Sequence, residues 1–195
     1  MLRRIAIGLV LALLVALPAT AQDFEKGMQA HKRGDYATAF KNWRPLAAKG
    51  IVAAQFNLGL MYAQSQGVPR DYGKAVEWYR KAAEQGLARA QHNLGVSYDS
   101  GRGVPRDYAE AVNWYRKAAE QGLYQAQYNL GGMYAEGQGV PQDYILAHMW
   151  YSLAATNGHP YAKGERERAA EEMNSAQIAE AQKLAGEWWA KHRKN

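Results

Sequence analysis

Residues that could support catalysis are spread along this chain and form no recognised motif. The five histidines show neither the HExxH pattern nor a paired spacing, and the chain has no cysteine. Carboxylates are common on helix surfaces, and no apolar setting singles one out for proton transfer. Glu136, His92 and Tyr128 are the one combination that could serve a hydrolytic site. We therefore expect a non-enzymatic protein with no catalytic residue, no metal site and no cofactor.

The glycine-containing loops resemble phosphate-binding loops only superficially. Gly103-Val104-Pro105 has counterparts at 67–69 and 139–141, but none carries the Lys-Ser/Thr pair that a phosphate loop requires. The formal charge is +6, from 24 Lys and Arg against 18 Asp and Glu. This surplus is too small and too dispersed to indicate nucleic acid as a partner.

The first 21 residues have the pattern of a secretory signal peptide. Arg3 and Arg4 precede an apolar run of 13 residues (5–17), and Ala19-Thr20-Ala21 follows. Spanning a bilayer as a helix takes about 20 residues, so the run is too short for an anchor. We expect cleavage near Ala21, no membrane insertion afterwards, and a periplasmic or secreted product. The lack of cysteine also excludes lipid attachment at the cleavage site.

An internal repeat of 36 residues organises the rest of the chain. Residues 53–88 and 89–124 are identical at 24 of 36 positions, and 17 positions are common once 125–160 is added. Residues 23–52 form a degenerate first unit with a connection about four residues shorter, and 161–195 form capping helices with a basic tail. The sequence therefore predicts an all-α solenoid of about four helix pairs plus a C-terminal cap.

Each unit reads as two helices joined by a turn. In the first full unit, Leu58 and Tyr62 stack at i, i+4, and Gly59 indicates that another helix approaches closely. Asp71 is placed to cap the second helix, and Gly86 to end it. In the degenerate unit, Pro45 should kink or end its helix. Asn174-Ser175 should cap a last helix whose apolar face is Ile178, Ala181, Leu184, Ala185 and Trp188.

These residues carry a family resemblance. The run Ala-Gln-x-Asn-Leu-Gly-x-x-Tyr, then Gly-Val-Pro-x-Asp-Tyr, Ala-x-x-Trp-Tyr and Ala-Ala-x-x-Gly resembles the Sel-one-like repeat (SLR) family, a relative of the tetratricopeptide repeat. The resemblance implies a right-handed superhelix with a concave groove that assembles protein complexes. Periplasmic members are associated with polysaccharide export, cell-envelope machinery or the regulation of membrane sensor kinases. The resemblance does not identify the partner of this chain.

The resemblance also suggests which residues would line the groove. In tetratricopeptide repeats the exposed side of each first helix does so, and on this sequence that side carries Phe56, Leu60, Gln64, Arg89, His92, Val96, Ser100, Gln125, Tyr128 and Glu136. Phe56, His92 and Tyr128 share one repeat position and could form a ladder that holds a peptide segment. Alternatively, these variable positions are simply exposed and unconstrained. Asn57, Asn93 and Asn129 could bind a peptide backbone or satisfy groups between neighbouring helices.

The last full unit replaces a charged stripe with an apolar one. Ile145, Met149 and Leu153 lie at i, i+4 and i+8, and something must cover them. The chain's own C-terminal helix is one candidate, and a partner or a second copy is the other. His148 should lie partly buried nearby, and of Trp188 and Trp189 one should anchor the cap.

Taken together, the sequence favours a periplasmic adaptor or regulatory scaffold that binds cell-envelope proteins, with a peptide segment in the groove. The alternatives are a hydrolase or peptidoglycan-processing enzyme sited in the groove, and an architectural homo-oligomer joined through the apolar stripe.

Overall fold

The computed structural model describes residues 19–192. The predicted signal peptide falls mostly on residues 1–18, outside this range, as does the end of the predicted basic tail. The described residues form ten helices and no strand: α1 (Ala19–Lys32), α2 (Tyr36–Ala48), α3 (Val52–Gln64), α4 (Tyr72–Glu84), α5 (Ala88–Ser100), α6 (Tyr108–Glu120), α7 (Tyr124–Glu136), α8 (Tyr144–Thr156), α9 (Ala162–Glu171) and α10 (Ser175–His192). Over this same range, no helix is long and apolar enough to cross a membrane.

The helices pack in chain order, as a solenoid does. The hairpins α1–α2, α3–α4, α5–α6 and α7–α8 follow one another, and the second helix of each packs against the first helix of the next. Helix α9 continues this order against α8, whereas α10 returns to α8 instead of forming a hairpin with α9. The predicted all-α solenoid of stacked hairpins with a C-terminal cap is confirmed.

Side chains at the helix ends explain where the second helices begin and stop. Asp71 accepts a hydrogen bond from the Lys74 N–H over 2.9 Å, and this capping contact lowers the pKa of Asp71. Gly86 has a φ of +90°, and its N–H donates to the Ala83 carbonyl. Both features recur one and two repeats later, so the predicted caps are confirmed.

Buried glutamines join successive units. Gln91 donates from its amide to the Ala83 carbonyl over 3.1 Å, and its Oε1 accepts from Gln121 over 2.7 Å. One side chain therefore links the second helix before it, its own first helix and the end of its own second helix. Because buried polar groups are costly unless they are bonded, this arrangement also fixes the register between units. Gln55 and Gln127 repeat the pattern.

The connecting loops stack on the preceding unit. A Cβ at Gly103 would collide with the backbone carbonyl of Tyr72, and one at Gly139 with that of Tyr108. Both glycines also have positive φ, +80° and +72°. Glycine is therefore required here for its close approach as well as for its backbone conformation.

The first unit meets one expectation and departs from part of another. Its connection is three residues (33–35) against seven (65–71) in the next unit, which agrees with the predicted shortening. Pro45, however, does not end its helix, because α2 continues to Ala48. Proline in the last turn removes only the bond to the Lys41 carbonyl, and both residues lie at the exposed surface where water can replace it.

Helix α10 covers the apolar stripe of α8. Leu153 is completely buried and Met149 is 7% exposed, in one cluster with Leu184, Ala185 and Trp188. The prediction that the chain's own C-terminal helix covers this stripe is confirmed. The alternative, in which Met149 and Leu153 contact a partner, is wrong because both are already buried; Ile145 is half-buried.

The predicted features of α10 are also present. Asn174 accepts from the Gln177 N–H over 3.0 Å, while Gln177 accepts from the Asn174 N–H over 2.9 Å, a reciprocal cap. Trp188 and Trp189 are both half-buried and both pack against the cluster, so each of them contributes to anchoring the cap. His148 is more deeply buried than expected, and burial lowers its pKa.

Candidate binding groove

In each of the three full units a tyrosine ring lies against the glycine of the first helix and forms the floor beneath it. A Cβ at Gly95 would lie 2.6 Å from Cδ1 of Tyr115, closer than real Cβ atoms approach. The predicted close approach is confirmed, and it comes from the second helix of the same hairpin. The three such pairs are Gly59 with Tyr79, Gly95 with Tyr115, and Gly131 with Tyr151.

The predicted ladder position packs on these same tyrosines. The ring centroid of Phe56 is 6.0 Å from that of Tyr79, and Phe56 is only 6% exposed. The expectation that Phe56 offers an exposed ring is therefore wrong, since its hairpin partner already buries it. Arg89, from the next first helix, lies over the Phe56 ring at 5.0 Å.

His92 occupies the same position one repeat later and is held by two asparagines. Its Nδ1 lies 3.3 Å from the Asn93 Oδ1, and its Nε2 lies 3.2 Å from the Asn129 Nδ2. This pattern requires a neutral ring with the proton on Nδ1, since Nε2 must accept. Burial accordingly lowers the pKa of His92, and the Asn93 contact opposes part of that shift.

Two of the three recurring asparagines, Asn57 and Asn129, bond side chains of the preceding unit, and Asn93 bonds the adjacent His92. Asn57 reaches the Met28 sulfur at 3.9 Å, and Asn129 reaches His92. These bonds agree with the prediction that the asparagines satisfy groups between neighbouring helices.

Two pockets open on the face formed by the first helices. The first, which we call the α3–α5 pocket, has a volume of about 290 Å³ and lies over Tyr79. The predicted residues Leu60, Gln64, Val96 and Ser100 line it together. Its other lining residues are Ala63, Tyr72, Ala75, Asn93, Ser97 and Arg102, so its walls carry no carboxylate.

The second, the α7–α9 pocket, has a volume of about 490 Å³. It brings together the predicted Tyr128 and Glu136 with Asp99, Glu165 and Arg168. Arg168 donates to the Glu165 carboxylate over 2.9 Å. The two pockets therefore differ in charge although they lie on the same face.

The remaining predicted positions line neither pocket: Phe56, Arg89, His92 and Gln125. The combination of Glu136, His92 and Tyr128 is consequently not assembled, because His92 lies over Tyr115 with a centroid distance of 5.8 Å. Among the described residues, no group of three or more His, Cys, Asp or Glu is arranged to hold a metal ion.

Among the residues missed from the sequence are those that give the α7–α9 pocket most of its charge and its floor: Asp99, Tyr151, Glu165 and Arg168. Asp99 could have been recognised as unusual from the sequence, since the equivalent positions of the neighbouring units are Ala63 and Ala135. Glu165 and Arg168 lie 36 residues after Asn129 and Gly132, so continuing the repeat alignment beyond residue 160 would have placed them on the same face.

The stacked hairpins are the fold of a known repeat family. The Sel1 repeat model matches residues 52–87, 88–123 and 125–159, and each match contains one helix pair. A Sel1 repeat protein from Oxalobacter formigenes is 33% identical, with a TM-score of 0.68, and the match covers 86% of this chain and 76% of that one.

Two further solved structures are similar. The protein c5321, a protective antigen present in uropathogenic Escherichia coli strains that displays an SLR fold, is 29% identical with a TM-score of 0.63. That match covers 89% of this chain but 46% of c5321. The MamA protein shares the fold at 20% identity and a TM-score of 0.51, with 90% and 96% covered. No curated protein matches the chain. Since the repeat model spans more than half of the sequence and each copy coincides with one hairpin, the chain belongs to the Sel1 repeat family.

Proposed function

We propose that this protein is a non-catalytic periplasmic adaptor or regulatory scaffold that binds an extended segment of a cell-envelope protein across its first helices. Sel1 repeat proteins are generally protein-interaction scaffolds. The observation that carries the proposal for this chain is the pair of pockets on one face. Each combines positions that vary from unit to unit, such as Leu60, Gln64 and Glu136, with a constant frame of glycines, tyrosines and asparagines.

The α3–α5 pocket is suited to an apolar side chain of the partner. Leu60, Ala63 and Val96 contribute aliphatic surface, while Gln64 and Ser100 at its rim are exposed and able to bond a backbone. An aliphatic pocket with a polar rim is the usual composition of a protein-binding site.

The N-terminal sequence supports the periplasmic location. Residues 1–21 combine two arginines, an apolar run and a small-residue cleavage pattern. The test is the N-terminus of the protein purified from cells. A mature chain that begins at Gln22 in the periplasmic fraction is expected, and an intact Met1 in the cytosolic fraction would contradict the location.

Photocrosslinking in living cells tests the binding face. A photoreactive residue replaces Gln64, and in a separate strain it replaces Glu84, which is exposed on α4 and lines neither pocket. We expect one envelope protein to be captured from position 64 and not from position 84. A further Ser100→Trp change should block the pocket and abolish capture, because Ser100 is exposed and its only side-chain bond is to Val96 in its own helix.

Two results would contradict the proposal. One is capture of the same proteins from both positions, which would indicate random encounter. The other is undiminished capture in the Ser100→Trp variant, after circular dichroism has established that the variant is folded.

A further inference from the structure

The α7–α9 pocket carries an excess of negative charge. Asp99, Glu136 and Glu165 supply three carboxylates against one guanidinium, that of Arg168. Arg168 is already bonded to Glu165, and Asp99 accepts from the Tyr115 hydroxyl over 3.0 Å. Glu136 is exposed at the end of α7 and forms no ion pair within the described residues.

The floor of this pocket contains a tyrosine whose hydroxyl opens into the pocket and has no partner among the described residues. Tyr151 is 5% exposed, and its hydroxyl bonds no protein group among residues 19–192. It points toward the pocket at Gly132, where a Cβ would lie 3.6 Å from the hydroxyl oxygen. Since the hydroxyl is open to the pocket, water can bond it in the free protein, and a polar group of a ligand that enters the pocket can replace that water.

The two equivalent tyrosines have polar neighbours that Tyr151 lacks. Tyr115 donates to Asp99 over 3.0 Å. Burial raises the pKa of Tyr79, and the Asn93 side chain opposes part of that rise. The position corresponding to Asn93 next to Tyr151 is Glu165, whose carboxylate is engaged by Arg168. The hydroxyl therefore remains free for a group that enters from outside.

The surroundings of this hydroxyl favour a cation. Burial raises the pKa of Tyr151, and the Glu165 and Glu136 carboxylates raise it further, so the hydroxyl stays protonated in a negative field. An anion would be repelled here. A bare metal ion is not favoured either, because the carboxylates are not grouped closely enough to ligate one.

We propose that the α7–α9 pocket binds a basic side chain, lysine or arginine, of the partner segment held by the groove. This inference rests on the proposed function. The cationic head would donate to the carboxylates of Glu136 and Glu165 and to the lone pairs of the Tyr151 hydroxyl. Tyr128 lines the same pocket, and since one face of its ring is stacked on His159 at 4.0 Å, the rest of the ring is available to the aliphatic stem.

The two pockets differ in charge, and this difference defines the orientation in which a partner segment would bind. At the positions of Glu136, Glu165 and Arg168, that pocket carries Gln64, Asn93 and Val96, which are all uncharged. A matching segment therefore carries an apolar residue over the α3–α5 pocket and a basic residue two repeats further along.

The test is a nuclear magnetic resonance titration of the ¹⁵N-labelled full chain with capped pentapeptide probes. Ac-Ala-Ala-Lys-Ala-Ala-NH₂ and its arginine analogue should shift the amide signals of Gly132 and Gly137. The glutamine analogue should bind about fivefold more weakly or worse, which is the size of effect that a partly exposed charge pair produces. The lysine probe should also bind less tightly as salt is raised.

Matched variants assign the contact. Glu136→Gln should weaken binding of the lysine probe by about fivefold. Glu84→Gln removes the same charge elsewhere and should leave binding unchanged. Tyr151→Phe should weaken binding without lowering the melting temperature, because the lost hydroxyl bonds no other protein group in the free protein.

Equal binding of the lysine and glutamine probes, or unchanged binding in Glu136→Gln, would overturn the inference. The crosslinking from Gln64 separates this failure from a failure of the proposed function. Capture at position 64 with no lysine preference leaves the function standing and removes the basic pocket. A lysine preference without any capture would establish the pocket and contradict the adaptor role.

Discussion

Asn157 donates a hydrogen bond from its side-chain amide to the Oε1 of Gln127 over 2.9 Å. Gln127 is completely buried, and its own amide donates to the Ala119 carbonyl over 3.2 Å. A single glutamine thus joins the end of α6, the body of α7 and the end of α8. The connection between repeats depends on a polar side chain as well as on apolar packing.

Gln127→Leu should therefore destabilise the protein although leucine is apolar and similar in size. The Ala119 carbonyl and the Asn157 amide would each lose a partner, at a cost of about 1–3 kcal/mol for each group that stays buried. Urea unfolding measures the change. Gln182→Leu, at an exposed position of α10, is the control. Equal stability of the two variants would show that water replaces the lost bonds.

Gly95→Ala should destabilise the chain even though alanine favours helices. The new Cβ would meet the Tyr115 ring at 2.6 Å, and overpacking of this kind costs about 1–3 kcal/mol. Gly186→Ala is the matched control, since no atom lies within 4 Å of its Cβ and α10 would gain up to about 1 kcal/mol in propensity. Melting temperatures should move in opposite directions, and a rise in both would contradict the close contact.

Phe56→Ala should lower the stability of the protein, whatever its effect on partner binding. The ring is almost fully buried against Tyr79, so its removal costs about 3–5 kcal/mol. Thermal unfolding is the measurement, and Gln64→Ala on the same helix should have little effect because its side chain is exposed. A small loss of stability in Phe56→Ala would indicate that the ring lies at the surface.

Tyr115→Phe and Tyr151→Phe remove the same atom from equivalent positions and should differ in effect. The first loses the bond to Asp99 and should cost about 1–2 kcal/mol, because hydrogen bonds to charged groups are stronger than neutral ones. The second loses no protein bond and should leave stability unchanged. Equal losses would show that the Tyr151 hydroxyl has a partner in the folded state.

Stability should fall between pH 7 and pH 5. Burial lowers the pKa of both His92 and His148 below the ordinary value of 6.5, so the unfolded chain takes up protons before the folded chain does. Their contribution is complete above pH 6.5 and is lost as the pH falls below that value toward the folded pKa. The His92→Gln variant should show a shallower slope of unfolding free energy against pH, whereas an identical slope would contradict the shift.

The helix pairs, their caps and their order were predictable because the signals are local and repeated three times. The capping bond of Asp71 and the helix-ending turn at Gly86 involve only residues within one turn of the chain. Tertiary context therefore has little influence on either of them. The exposure of Phe56 was not predictable in this way, since it depends on which neighbour fills the space above Gly59. The recurrence of Tyr79 at a constant distance of 20 residues from Gly59 was the available signal.

The acidic pocket was predicted only in part. Tyr128 and Glu136 lie on a recognised repeat, but the opposite wall comes from α9, which retains the position of a first helix without its motif. Glu165 and Arg168 could therefore be placed only by carrying the 36-residue spacing past the last recognised unit. The free hydroxyl of Tyr151 follows from that same loss of the motif, because the usual asparagine is absent.

The return of α10 onto α8 sets a limit on how this molecule could lengthen. Each earlier second helix offers its outer surface to the next hairpin, but the corresponding surface of α8 is already occupied by α9 and α10. Added units at this end would first have to displace both helices and expose the Met149 and Leu153 side chains to water. We therefore expect a gene duplication to lengthen the proposed binding face only upstream of residue 161, by inserting a hairpin between existing ones.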